Sequence, residues 1–151
     1  MVLIYKILVF IHIFSAILGM GPGFILTRIG KSADTMTKVR HSFAIRRDLH
    51  IIVMIGGTLL LVTGLLMGML NPNLFRMGWY IGSLILFLIG LAMGPFVLSP
   101  RSKPIKELLA SYEGEEIPEE YTRLSKELFR YENLENLIFL IIIALMILKP
   151  F

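Results

Sequence analysis

The chain has 151 residues, 56% of them hydrophobic and only 17% charged, with a mean hydropathy of +0.76 and a formal net charge of +4. That composition excludes an ordinary soluble domain of this length. The absence of cysteine excludes disulfides, thiolate metal sites and thiol redox chemistry.

Up to Thr27 the only charged residue is Lys6, and none occurs from Leu49 to Leu70 or from Met77 to Ser99. A bilayer core about 30 Å thick takes about 20 helical residues to cross. The first predicted span covers Leu3 to Leu26, with Pro22 expected to kink or end its regular part. A connection over 27–49 follows, where Ser32-Ala33-Asp34-Thr35 suits the start of a short helix that runs on into the second span, His50 to Leu70.

Asn71-Pro72-Asn73 makes a short turn, and Trp79 and Tyr80 suit the membrane interface beside it. The third span runs from Gly78 to Leu98, and Ser99-Pro100 is expected to end it. The connection over 99–133 is charged, and a helix is expected after Pro118. Its mixed-charge face is expected to be solvated. The fourth span, Leu134 to Lys149, closes the chain. The runs are continuous and do not alternate, so the predicted fold class is an all-α membrane protein, a four-transmembrane-helix bundle in one domain.

Twelve of the fifteen cations fall in the first and third connections; Lys6, Arg76 and Lys149 are the other three. The positive-inside rule then puts those connections in the cytoplasm of a plasma membrane and both termini outside. A cleavable signal peptide is not expected, because the positive cluster follows the first apolar segment where it should precede it. The same clustering explains the net charge without nucleic acid, for which there is no basic or aromatic module.

Met20-Gly21-Pro22, followed by Arg28, returns as Met93-Gly94-Pro95, followed by Arg101. This suggests two tandem two-helix repeats with parallel first helices. Helices in lipid associate through small residues, and Ala16, Gly19 and Gly23 share one face of the first span. Gly57, Gly64 and Gly68 do so on the second, and Ser83, Gly90 and Gly94 on the third. These stripes are expected to face the bundle interior or a partner chain.

His12 lies on the first stripe at mid-membrane and has no counterpart in the second half, where Ile85 stands at the same depth. An intramembrane histidine is costly unless hydrogen-bonded, ligated or hydrated, so His12 is the leading candidate site residue, with Ser15 one turn away. The bland reading is a neutral imidazole bridging two helices. His50, at the basic end of the second span, belongs with Arg28, Arg46, Arg47, Asp48, Arg101, Glu132 and Glu135 in an expected interfacial belt of anchors and ion pairs, with an anion or headgroup site as the sharper option. A rise of 1.5 Å per residue separates His12 from His50 in depth by about 20 Å, too far for one haem between them without strong tilt. A porphyrin held by one histidine remains open. Phosphate-loop, dinucleotide, zinc-protease and nucleophile-elbow motifs are all missing.

The opening Tyr5-Lys6-Ile7-Leu8-Val9-Phe10-Ile11-His12-Ile13-Phe14-Ser15-Ala16-Ile17-Leu18, the following Gly21-Pro22, Thr63-Gly64-Leu65-Leu66 and the closing Leu148-Lys149-Pro150 resemble a bacterial family of small four-helix integral membrane proteins with a domain of unknown function. More distantly, the Phe-x-His setting of His12 is similar to protoporphyrinogen oxidases of HemJ type and to the membrane domain of CopD copper-resistance proteins. That resemblance implies His12 as a haem or metal contact. The expected function is therefore a redox-associated bundle binding haem or porphyrin through His12, with Ser15 and His50 as further cofactor-binding candidates. The alternatives are a non-catalytic accessory or scaffold subunit, or a dimeric transporter of small solutes or ions. Expected partners are the lipid bilayer and a homo-oligomer or larger membrane complex.

Overall fold

In the computed structural model, which describes residues 2–151, the chain folds as helices α1 (Val2–Lys31), α2 (Met36–Leu70), α3 (Gly78–Met93), α4 (Ser99–Ser111) and α5 (Glu119–Leu148). A 3-10 turn, Pro72–Arg76, joins α2 to α3, and a π-helical turn, Gly94–Leu98, joins α3 to α4 without a break in the helical path. The four long helical segments contain windows of mean hydropathy 1.8 to 2.4, yet only 6% to 33% of each window is buried. A water-soluble helix this apolar would turn its side chains inward. Here Phe10 is 70% exposed and Phe96 78% exposed, as the lipid-facing side chains of a four-helix membrane bundle are.

Several elements depart from the sequence expectations, each for a local reason. Pro22 does not end α1, which continues to Lys31. The packing of Gly19 before the proline and of Gly30 after it holds the helix against its neighbours across the lost backbone bond. Helix α2 starts at Met36, capped by the Thr35 hydroxyl, which accepts from the Lys38 amide at 3.3 Å. Its 35 residues span roughly 52 Å, well beyond one bilayer core, so its first turns project from the membrane. Ser99-Pro100 does not end the third helical segment either. Pro100 directly follows the π-helical turn, whose altered bonding carries the helical path past the missing amide hydrogen.

The helices associate as two pairs, α1 with α2 and α3 with α5, joined mainly where α1 meets α5. Between the pairs lies a cluster of Met20, Leu60, Phe87, Phe139 and Ile142. A second cluster, around Met67, Leu74, Trp79 and Tyr80, closes the end that carries the 3-10 turn. There the Trp79 amide donates to the Phe151 carbonyl at 3.0 Å, and the Lys149 ammonium sits 5.3 Å from the Trp79 ring centroid.

The basic end carries the most completely buried core of the molecule. Met36, Val39 and Ile105 are 0% exposed and Leu128 is 1% exposed, packed with Tyr121 into one cluster. The connection over 99–133 is thus a folded cap as well as a charged surface. One face of α4 and one face of the first turns of α5 close over the start of α2, and the Met36 amide donates to the Glu115 carbonyl at 3.0 Å.

Candidate functional site: a cavity between the helix pairs

Close packing decides which helix faces meet. A Cβ placed on Gly56 would lie 2.8 Å from the Gly19 Cα, and one placed on Gly19 would lie 2.8 Å from the Gly57 amide nitrogen. The α1–α2 seam is therefore a backbone-to-backbone contact at Gly19 and Gly56. Gly56 is absent from the small-residue stripes read in the sequence, where its neighbour Gly57 stands instead. A Cβ on Gly57 would meet only Leu91, at an ordinary 3.6 Å.

The other stripe residues have distinct surroundings. Gly23 lies against Asn136, whose amide donates to the Gly23 carbonyl at 3.2 Å. Gly90 makes room for Phe139, and Gly68 for Phe75 and Tyr80. Ala16 packs beside the Met20 cluster. Gly94 has nothing within 4 Å of its would-be Cβ, and neither has Gly21, which lines the cavity between the helix pairs; each Gly-Pro step follows a buried methionine, Met20 or Met93.

The two pairs do not close completely. They leave a cavity of about 470 Å³ lined from all four long helices, within the usual size range of small-molecule sites. Its wall is almost wholly Ile, Leu, Met and Phe, and the polar side chains on it are His12, Tyr80 and Ser83.

His12 is held by Thr63. The Nδ1 and Thr63 Oγ1 atoms are 2.9 Å apart, and the Thr63 hydroxyl itself reaches the Leu59 carbonyl at 2.6 Å. With the Thr63 hydroxyl directed at that carbonyl, the heavy-atom geometry favours Thr63 as acceptor and assigns the His12 proton to Nδ1. That assignment leaves Nε2 as the acceptor nitrogen, and the ring also lies within hydrogen-bonding reach of the Leu60 carbonyl. Gly64 permits this placement, because a Cβ there would stand 3.3 Å from His12 Cε1. Tyr80 Oη donates to the Gly64 carbonyl at 2.9 Å, so the phenol and the imidazole meet the same residue from two sides.

Ser83, one helical turn from Tyr80 on α3, is 0% exposed, and its hydroxyl has no partner among the described residues. Ser15 differs. It too is fully buried, but its hydroxyl is spent on the Ile11 carbonyl at 2.6 Å, and it is not on the cavity wall.

His50 is exposed at the basic end, away from His12, so the two are not brought together. The belt expected around His50 forms instead about Arg46. Arg46 pairs with Glu132 and donates to the Leu26 carbonyl at 3.0 Å, while Thr27 donates to Glu132 at 2.8 Å. The guanidinium carbon lies 5.3 Å from the Phe43 ring centroid and 5.4 Å from that of Phe129. Arg101 joins a separate pair with Glu127 at 2.9 Å, and Arg28 is exposed. No group of three or more His, Asp or Glu side chains placed to hold a metal ion occurs among the described residues.

Sequence reasoning found His12 from its cost in lipid but missed Thr63, Tyr80 and Ser83. Ser83 was visible only as a small packing residue, and nothing along the chain distinguishes a bonded hydroxyl from an unpaired one. Among curated proteins and among solved structures, nothing matches this chain. A family model described as "Predicted integral membrane protein (DUF2269)" matches residues 6–150, nearly the full length, and the chain belongs to that family of integral membrane proteins.

Proposed function

We propose that this membrane protein binds a largely apolar, membrane-soluble molecule in the cavity between its helix pairs, with His12 as the polar contact. The observation that carries the reading is the placement of His12: Nδ1 is anchored by Thr63, and the residue lines a 470 Å³ apolar space. An imidazole whose second nitrogen is fixed in this way is held ready to offer its lone pair to a ligand.

Haem or porphyrin is the redox-active occupant to weigh first. His12 would be the residue to hold its iron, with Thr63 orienting the ring. The propionates fit less well. A carboxylate in a low-dielectric site needs a partner, and no lining residue carries a positive charge. An uncharged occupant is therefore the better match to this wall. The bias of twelve cations to three supports placing the Arg46 end in the cytoplasm and both termini outside.

The test is to purify the protein from membranes, record its absorbance and extract it with organic solvent for mass spectrometry. Ala16→Phe, which fills the cavity, and His12→Ala serve as controls. The reading predicts a near-stoichiometric extracted molecule that is lost in Ala16→Phe and diminished in His12→Ala. A Soret band lost in His12→Ala would identify that molecule as haem. Equal lipid content in wild type and Ala16→Phe would contradict the reading.

A further inference from the structure

Among the described residues, the cavity reaches the surface of the bundle on one side. The residues that α2 and α3 contribute to its wall are all buried or half-buried. The exposed ones are Ile13 and Ile17 of α1 and Ile147 of α5, 57% to 72% exposed. The mouth therefore lies between α1 and α5, among side chains that face lipid. Gly21, one turn beyond Ile17, adds no side chain to narrow it, and a Cβ there would meet nothing within 4 Å.

Both ends of that mouth are closed. Toward the 3-10 turn, Tyr5, Leu8 and Val9 of α1 pack against the cluster around Trp79 and Tyr80. Toward the basic end, Asn136 donates to the Gly23 carbonyl at 3.2 Å and Thr27 donates to Glu132 at 2.8 Å, which ties α5 to α1. An opening bounded in this way is in the side of the bundle. It communicates with the interior of the bilayer and is shut off from water at either surface.

We infer that this side opening admits a hydrocarbon chain of a membrane lipid, which enters between α1 and α5 and lies along the cavity against Leu60 and Phe87. The inference rests on the cavity-binding reading above and adds the route of entry and the chemical class of the occupant. Water is a poor filler for this space, because it needs several polar partners and the wall is almost wholly aliphatic and aromatic. Left empty, the same wall forfeits the dispersion contacts that a chain supplies. The lining residues of α1 run from His12 to Phe24, about 18 Å at a rise of 1.5 Å per residue, so the space is drawn out along the bundle as a chain is. A charged lipid head finds no counter-charge on the wall and stays outside the opening.

The experiment uses the full-length protein, whose one tryptophan, Trp79, is buried and off the cavity wall. On a Trp79→Phe background, Phe87→Trp puts a fluorescent reporter on the buried part of the wall, and Leu84→Trp is the second reporter should the first fail to fold. Phe10→Trp on the same background is the lipid-facing reference. Bound lipid is exchanged in detergent for phosphatidylcholine brominated in mid-chain, a contact quencher of tryptophan, and the protein is reconstituted in nanodiscs of that lipid. The wall reporter should be quenched at least half as strongly as the Phe10→Trp reference, and wild-type Trp79 several-fold less. Adding Ala16→Phe, which fills the cavity, should bring the wall reporter down to the level of Trp79. Iodide in the water should leave the wall reporter unquenched; quenching by iodide would show a mouth open to water and overturn the inference. Quenching by bromine that persists in Ala16→Phe puts the chain outside the cavity and contradicts it. A wall reporter that bromine leaves unquenched, while a bound molecule is still extracted from the wild type, overturns chain entry but leaves the cavity reading standing. No quenching and no extracted molecule overturns both.

Discussion

The cap at the basic end and the bundle in the membrane are built from one chain by different forces. In the cap, Met36, Val39, Ile105 and Leu128 lose virtually all contact with solvent, as in any water-driven core. In the bundle, large side chains such as Phe10, Ile13 and Ile17 stay outward, and what meets inside is small: Gly19 on Gly56, Gly90 under Phe139. Lipid offers nothing to gain by hiding a leucine, so the spanning helices are held by close approach and by hydrogen bonds such as His12 to Thr63 and Asn136 to Gly23. A bundle so assembled can leave a cavity between its pairs without exposing apolar surface to water. The cap cannot.

The sharpest way to break this contrast is to truncate one large apolar residue in each region. Leu128→Ala should destabilise the protein by about 4 kcal/mol through lost burial and the cavity left behind. Phe10→Ala, facing lipid, should cost less than about 0.5 kcal/mol. Thermal unfolding in one detergent checks both, and equal shifts would show that the two regions obey the same rule.

Glu132→Ala comes next. It strands Arg46, whose side chain is only 15% exposed, between two aromatic rings and should cost about 3 kcal/mol. Because this pair sits where cap and bundle join, limited proteolysis should find the first new cleavage in the segment between α4 and α5. Gly56→Ala should cost about 2 kcal/mol, since the added methyl meets backbone that cannot give way. Gly21→Ala, whose Cβ points into open space, should be nearly neutral and serves as its control in the same unfolding series.

The smallest effect is alkaline. Burial pushes the Tyr121 phenol in the cap above its ordinary value, with Arg46 nearby opposing the shift. The unfolded chain therefore releases the proton first as pH rises. The Tyr121 contribution is fully present below about pH 10 and is lost as pH climbs through the raised folded value. Tyr121→Phe should flatten that limb of the stability curve, measured by unfolding between neutral and strongly alkaline pH, and leave the membrane-facing contacts unchanged.

The spanning helices could be read from the sequence because long uncharged runs can do little else in lipid. The cap could not, because the apolar residues of its core come from three separated stretches, around Met36, Ile105 and Leu128, that are amphipathic only by themselves. Pro22 and Pro100 misled in the same direction: a proline signals a helix end along the chain, while neighbouring packing or a π-helical turn decides whether the helix stops. His12 stood out because an ionisable side chain in a long apolar run demands a reason. Its partner Thr63 looked like one more small residue, and the choice between Gly56 and Gly57 at the seam turns on a rotation of about 100° that spacing does not resolve.

The state of the His12 imidazole tests the central claim most directly. Histidine labelled with nitrogen-15 in the protein, reconstituted in nanodiscs, distinguishes a protonated Nδ1 from a protonated Nε2, with His12→Gln assigning the signal. A neutral ring protonated on Nδ1, whose Nε2 resonance shifts when the cavity is saturated with its extracted lipid, is the predicted result. A ring protonated on Nε2, or an Nε2 resonance that the lipid leaves unmoved, would contradict it.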